Sequence, residues 1–267
     1  MSSSHSAVAT DAGDGITVDV QFTAGAVDWP RLRDATLAAE DAGFGAVWVV
    51  DHLAGRSMGG DNALEAFTWM GALAAVTRTI EIGSLVINAW NRSVGVSVVG
   101  AASVAAIADR PMWFGIGAGT SPRSSFAWEQ QLVNAPIVDA MADRHTRVSE
   151  VLDLVDAMWH ADTAEEHFPT FPRPRHIPRT VIGVNSVALA QLAGRRADGV
   201  NVRWSHPRCG EFLDAATQAA SGRPLVRTVY TNWDDALLDV DHPDRQAMAA
   251  AGVERLILLS TGVPPLG

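Results

Sequence analysis

The chain has 267 residues, 48% hydrophobic and 19% charged, with a formal net charge of −10. That length supplies one large core, the acidic balance argues against nucleic acid as the main partner, and no apolar run reaches the roughly 20 residues that a membrane span requires. A single cysteine, Cys209, excludes an internal disulfide and fits a reducing, cytoplasmic setting, while all twenty basic residues are arginines, which excludes Schiff-base and lysine-base chemistry.

Residues 1–15, rich in Ser, Ala, Gly and Asp, read as a disordered tail ahead of a single domain over 16–267. Leu32, Ala35, Ala39 and Ala42 then recur at helical spacing after a cap near Asp28 and Pro30, and Gly43 or Gly45 is the stop. Strand candidates fall at 16–22, 46–50, 80–87, 112–116, 180–184, 199–202, 225–231 and 255–260. The run at 46–50 is too apolar for a half-exposed strand and suits a parallel strand buried on both faces. Between the strands, Asn62 with Glu65 opens a helix, and Val148, Val151, Leu152, Val155 and Trp159 make one apolar stripe over 144–160. Ser186 caps the next helix, Pro207 begins another, and Asp241 with Pro243 starts the last, which closes at Gly252. Alternation of this kind predicts parallel strands with helical crossovers, and eight repeats match an α/β fold of the (β/α)8 TIM-barrel type. A doubly wound open sheet is the competing architecture, but its glycine fingerprint is missing. The sequence stops at Gly267 just after the eighth strand, so the last helix is expected to be truncated or missing.

Asp51 and His52 fall at the carboxyl end of the second strand, where barrels of this kind bind ligands; a turn-capping Asp beside an unremarkable His is the competing reading. Gly115, Gly117 and Gly119 form GIGAG after the fourth strand, a spacing that lets backbone approach a ligand but is not a dinucleotide fingerprint. The helix start at Gly183, Val184, Asn185 and Ser186 offers free NH groups to an anion. Arg56, Arg92, Arg123 and Arg203 lie on strand-exit loops and are candidates for holding a phosphate. Trp90, Trp128, Trp204, Tyr230 and Trp233 gather at the expected mouth, with Trp90, Trp204, Tyr230 and Trp233 as candidate substrate-pocket residues, whereas Trp48 and Trp69 are expected to serve packing alone. The long insert 120–143 reads as a lid. No metal is predicted: His160, His167, Glu165 and Glu166 suit a solvated helix end better than a coordination site.

AEDAGFGAVWVVDHL from Ala39, EAFTWMGALAAVTRTIEIGSLV from Glu65, FGIGAG from Phe114, RHTRVSEVLDLVDAMW from Arg144 and VIGVNSVALAQLAGRRADGVN from Val181 follow one another in order. Together they resemble the luciferase-like flavin and deazaflavin oxidoreductases, and within them the F420-dependent branch. The resemblance implies a TIM barrel, hydride transfer between coenzyme F420 and a small organic substrate, and a homodimer. It implies that Asp51 anchors the deazaflavin ring, that His52 assists proton transfer beside it, and that the Leu85–Val86 peptide is cis against the ring. Gly117, Gly119 and Thr120 would lie along the ring edge, and Gly183, Val184, Asn185 and Ser186 would take the phosphate. FMN is the alternative cofactor, as in the monooxygenases of the fold, though that branch more often carries Glu-His-His where this chain has Asp51 and His52. Two residues depart from the pattern. Val184 replaces a usual glycine, and Thr120 stands where the alcohol and sugar-phosphate dehydrogenases place a glutamate. A threonine hydroxyl cannot act as an acid at neutral pH, which favours delivery of hydride to an unsaturated substrate over alcohol oxidation. A barrel that binds a ligand or subunit without catalysis is the alternative from another class.

Overall fold

The computed structural model describes residues 13–23 and 28–260. Its strands are β1 (Thr17–Phe22), β2 (Ala46–Val49), β3 (Glu81–Ser84), β4 (Ile87–Asn88), β5 (Met112–Gly117), β6 (Arg179–Gly183), β7 (Gly199–Arg203), β8 (Val226–Asn232) and β9 (Arg255–Ser260). All pairings are parallel, and the sheet closes on itself because β1 pairs with both β2 and β9 while β5 pairs with both pieces of the third stave. This is a closed eight-stave (β/α)8 barrel, which removes the open doubly wound alternative. The third stave, expected as one strand over 80–87, is divided into β3 and β4 by a cis peptide between Leu85 and Val86.

The helices are α1 (Trp29–Asp41), α2 (Ala66–Val76), α3 (Val94–Ala108), α4 (Ala127–Leu132), α5 (Met141–Val155), α6 (Ala164–His167), α7 (Val187–Arg196), α8 (Cys209–Ala220) and α9 (Pro243–Ala250). Their starts follow local hydrogen-bond chemistry: Asp28, Ser93 and Ser186 each accept from a backbone NH three residues on. Two expected starts shift. Glu65 rather than Asn62 caps α2, taking both the NH and the hydroxyl of Thr68 at 2.8 Å, and His242 rather than Asp241 caps α9. The α5 stripe buries Val148, Val151, Leu152 and Val155, and the helix ends in a wider π turn over Asp156–His160 that sets Trp159 against Phe114. Cys209 is buried, and burial pushes its thiol up, away from the reactive thiolate.

The lower half of the barrel interior is filled. Trp48 and Trp113 lie there with ring centroids 6.0 Å apart, each removed from water. Beneath them residues at and near the starts of the staves make an ionic floor. Arg255 grips Asp19 through two bonds of 2.8 Å and reaches Glu81 at 2.9 Å, Arg179 reaches Glu81 at 2.6 Å, and both indole NH groups donate to these carboxylates. Buried charges of this kind persist only when fully paired, and here each carboxylate has several donors.

The expected free tail is corrected at its end: Asp14 accepts from the fully buried Arg245 at 2.9 Å, so the chain is tied to the barrel before β1. Residues 1–12 of that tail, and residues 261–267 where a final helix was expected to be missing, lie outside the described residues. Among the described residues no helix is long and apolar enough to cross a membrane.

Candidate active site

Above the tryptophan layer the strand ends open into a cavity of about 330 Å³. Asp51, His52, Leu85, Val86, Gly117, Gly119, Thr120, Gly183, Val184, Asn185 and Tyr230 all line it, so one mouth gathers residues from five staves. Residues not singled out in the sequence join them, among them Asn88, Glu129, Met141, Arg144 and Leu189.

His52 is held in a defined way. Its Nδ1 lies 2.7 Å from Oε1 of Glu129, and the other carboxylate oxygen accepts from the backbone NH groups of Leu53 and Ala54, both at 3.1 Å. A carboxylate only accepts, so it keeps the proton of a neutral ring on Nδ1 and leaves Nε2 as a lone-pair acceptor. Phe126 packs on the imidazole with centroids 4.6 Å apart. The insert 120–143 is therefore not a bare loop: it contains α4, whose buried Glu129 pins the segment over the second stave.

Asp51 is bound into the loop that follows β4. Its side chain is fully covered, with Arg92 bonded to both oxygens at 2.7 Å, the NH of Asn88 at 2.9 Å and the amide of Asn91 at 3.2 Å. Arg92 also bonds Glu65, at 3.0 Å through Nε. Burial raises the Asp51 pKa and outweighs the lowering by Arg92; burial works to lower the Arg92 pKa, but Asp51 and Glu65 outweigh it. Oδ2 takes three of these donors and Oδ1 takes one, so the carboxylate holds the loop after β4 while Asp51 still lines the cavity.

The glycines make room for side chains at the mouth. A Cβ on Gly117 would sit 2.4 Å from Cγ2 of Val86, one on Gly183 would sit 3.1 Å from Cγ1 of Val86, and one on Gly119 would sit 2.4 Å from the Trp90 ring. They admit Val86, which follows the cis bond, and Trp90. Val184 spends its NH on Asn201 O at 2.9 Å, so it has none for a phosphate, and Ser186 turns its hydroxyl to the Leu189 NH as the α7 cap. Asn185 remains exposed at the start of α7.

Three of the four expected pocket aromatics are elsewhere. Trp90 lies under Gly119 with the Arg147 guanidinium 4.9 Å from its ring, Trp204 packs against the main core, and Trp233 stacks on Phe44 while its NH donates to Asp235. Tyr230 alone lines the cavity, and burial pushes its phenol up despite Arg203, so it stays a donor. None of the four loop arginines lines the cavity: Arg92 is committed to carboxylates, Arg123 faces Asp139, Arg203 is exposed, and Arg56 lies over Trp128 beside a separate hollow. Among the described residues no group of three or more His, Cys, Asp or Glu converges as a metal site.

The family model of the luciferase-like monooxygenases matches residues 10–227, most of the barrel. The chain belongs to that family. Among curated proteins, it is 28% identical over 181 residues to an F420-dependent glucose-6-phosphate dehydrogenase of Nakamurella multipartita, covering 63% of this chain and 50% of the relative. It is 26% identical over 243 residues to a 5,10-methylenetetrahydromethanopterin reductase of Archaeoglobus fulgidus, covering 85% of this chain and 65% of the relative. This luciferase-like chain thus spans between half and two thirds of the length of those two relatives. Among solved structures, an F420-dependent secondary alcohol dehydrogenase in complex with an F420-acetone adduct superimposes with a TM-score of 0.70 at 14% identity over 94% of both chains. A riboflavin lyase with modified FMN and riboflavin superimposes with a TM-score of 0.69 at 12% identity, covering 94% of this chain and 88% of the other. At these identities the structural likeness is one of fold.

Proposed function

We propose that this luciferase-like barrel binds coenzyme F420 non-covalently in its mouth and acts as an oxidoreductase on a small organic substrate, in the direction of reducing an unsaturated bond. The observation that carries the reading is the His52–Glu129 pair set in the mouth cavity. The donor set fits such a cofactor. Leu85, Val86, Val184 and Leu189 give apolar surface for a ring, while Asn88, Tyr230 and Asn185 give polar groups for its edges and tail. When bound, F420 supplies a two-electron carrier that gives or takes hydride. His52 holds or delivers the accompanying proton at Nε2, Glu129 fixes the imidazole and offsets its charge when it is doubly protonated, and the Asp51–Arg92 pair keeps the Asn88 loop in place. Thr120 accepts from the Asn88 amide at 3.3 Å and cannot take an alcohol proton as a glutamate would, which supports the reductive direction.

The F420-dependent name of the dehydrogenase relative supports the cofactor, and the FMN of the riboflavin lyase keeps flavin chemistry as the second reading. Titration of the purified protein with F420 and with FMN, followed by quenching of tryptophan fluorescence, decides among the readings. Saturable binding of F420 and not of FMN is the expected result. Binding of FMN alone would transfer the site to monooxygenase-type chemistry, and binding of neither would leave a non-catalytic barrel.

A homodimer belongs to the same proposal. Neither α2 nor α3 carries a charged residue in a chain of net charge −10, and Val96 and Ile107 on α3 stand 58% and 55% exposed. A helix apolar on all sides is normally covered, and a second copy presenting the same face satisfies this by two-fold symmetry. Light scattering after size exclusion should give twice the chain mass, and Ile107→Asp should shift the peak to the monomer; a monomeric parent protein removes the dimer.

A further inference from the structure

Four arginines are buried, and three have an obvious reason to be. Arg255 meets Asp19 and Glu81, Arg245 meets Asp14, and Arg110 donates to three backbone carbonyls and the Thr77 hydroxyl. Arg144 differs. It is 7% exposed, it lines the mouth cavity, and among the described residues no carboxylate lies within ion-pair distance of it. Of the five NH groups a guanidinium carries, one donates to the Gly119 carbonyl at 3.1 Å and one to the Met141 sulfur at 3.2 Å, a weak acceptor; Nε is enclosed without any partner.

We infer that Arg144 is the oxyanion anchor of the cavity and that the substrate of this enzyme bears a carboxylate or phosphate group. A buried cation without a counter-charge is costly unless a ligand offsets it, and the side chain is already positioned by two bonds to the protein. Thr120 directly follows Gly119, whose carbonyl accepts from Arg144. Its oxygen accepts from Asn88, so its own proton is available as a second donor. The placement favours the substrate over the cofactor as the source of the anion. Glu129, Met141 and Arg144 come from the segment between β5 and β6 that covers the mouth, whereas the cavity floor is built from strand ends. The inference rests on the oxidoreductase reading for the word substrate; the anion subsite itself does not.

Isothermal titration with inorganic phosphate as the probe tests it, on the full chain with and without saturating F420. One phosphate should bind per chain with the same affinity in both conditions. Arg144→Met should weaken phosphate by about tenfold or more, the loss of at least one charge-assisted bond, while the affinity for F420 stays within about threefold. Arg144→Lys, which keeps the charge, should recover part of the loss. Thr120→Val, which leaves Arg144 in place, should weaken phosphate severalfold and serves if the Met variant does not fold. Absence of phosphate binding, or equal binding by the parent and both variants, overturns the subsite. Displacement of phosphate by F420, with loss of F420 affinity in Arg144→Met, assigns the anion to the cofactor and overturns the substrate class. Failure of F420 to bind defeats the cofactor reading alone, since phosphate binding to the free protein remains readable.

Discussion

His52→Ala should lower the rate at which reduced F420 is oxidised by an α,β-unsaturated ketone by about a hundredfold to ten-thousandfold, the range spanned by general acid–base groups, while the dissociation constant for F420 changes little. The reason is geometric: the imidazole is the cavity group with a fixed tautomer, because Glu129 holds Nδ1 at 2.7 Å and is itself fixed by two backbone NH groups. Glu129→Gln keeps the shape of the support but exchanges its charge for an amide that can present a donor to the ring. It should therefore fall between the parent and His52→Ala in rate, with the pH dependence of turnover displaced from that of the parent. Turnover by His52→Ala within threefold of the parent would remove His52 from the chemistry.

The second large effect concerns stability. Asp51→Ala leaves the Arg92 guanidinium with Glu65 as its only carboxylate and strips partners from the Asn88 NH and the Asn91 amide. Breaking one side of a buried pair costs about 3–5 kcal/mol, so the midpoint of urea unfolding should fall accordingly. Adding Arg92→Met to Asp51→Ala should return part of the loss, because the unpaired charge goes with it. If Asp51→Ala unfolds like the parent and has lost its affinity for F420, the carboxylate contacts the cofactor after all and the loop-holding account fails.

The parts of this fold that were readable were those with a repeating contrast between apolar and polar positions. The run from Ala46 to Val49 announced a stave buried on both faces, and the α5 stripe announced its buried side residue by residue. Helix α3 gave no such contrast, since it is composed of small and apolar residues throughout, and no periodic face was there to detect. The position of the mouth followed from the strand ends, so Asp51 and His52 were found together. What each does was decided by residues remote in sequence. Glu129 lies 77 positions from His52, and Arg92 lies 41 from Asp51, with no local pattern linking either pair. The same limit applied to the arginines: exposure and pairing depend on which carboxylates the fold brings near, so Arg92 was singled out and Arg144 was not. The glycines were read as places where backbone comes close to a ligand; which side chains they also admit, Val86 and Trp90, had no signal near them in sequence.

The ionic floor is set apart from the mouth it supports. Asp19, Glu81, Arg179 and Arg255 pair beneath Trp48 and Trp113, and none of the four lines the cavity, so a substitution among them should weaken the scaffold and leave the contacts inside the cavity as they are.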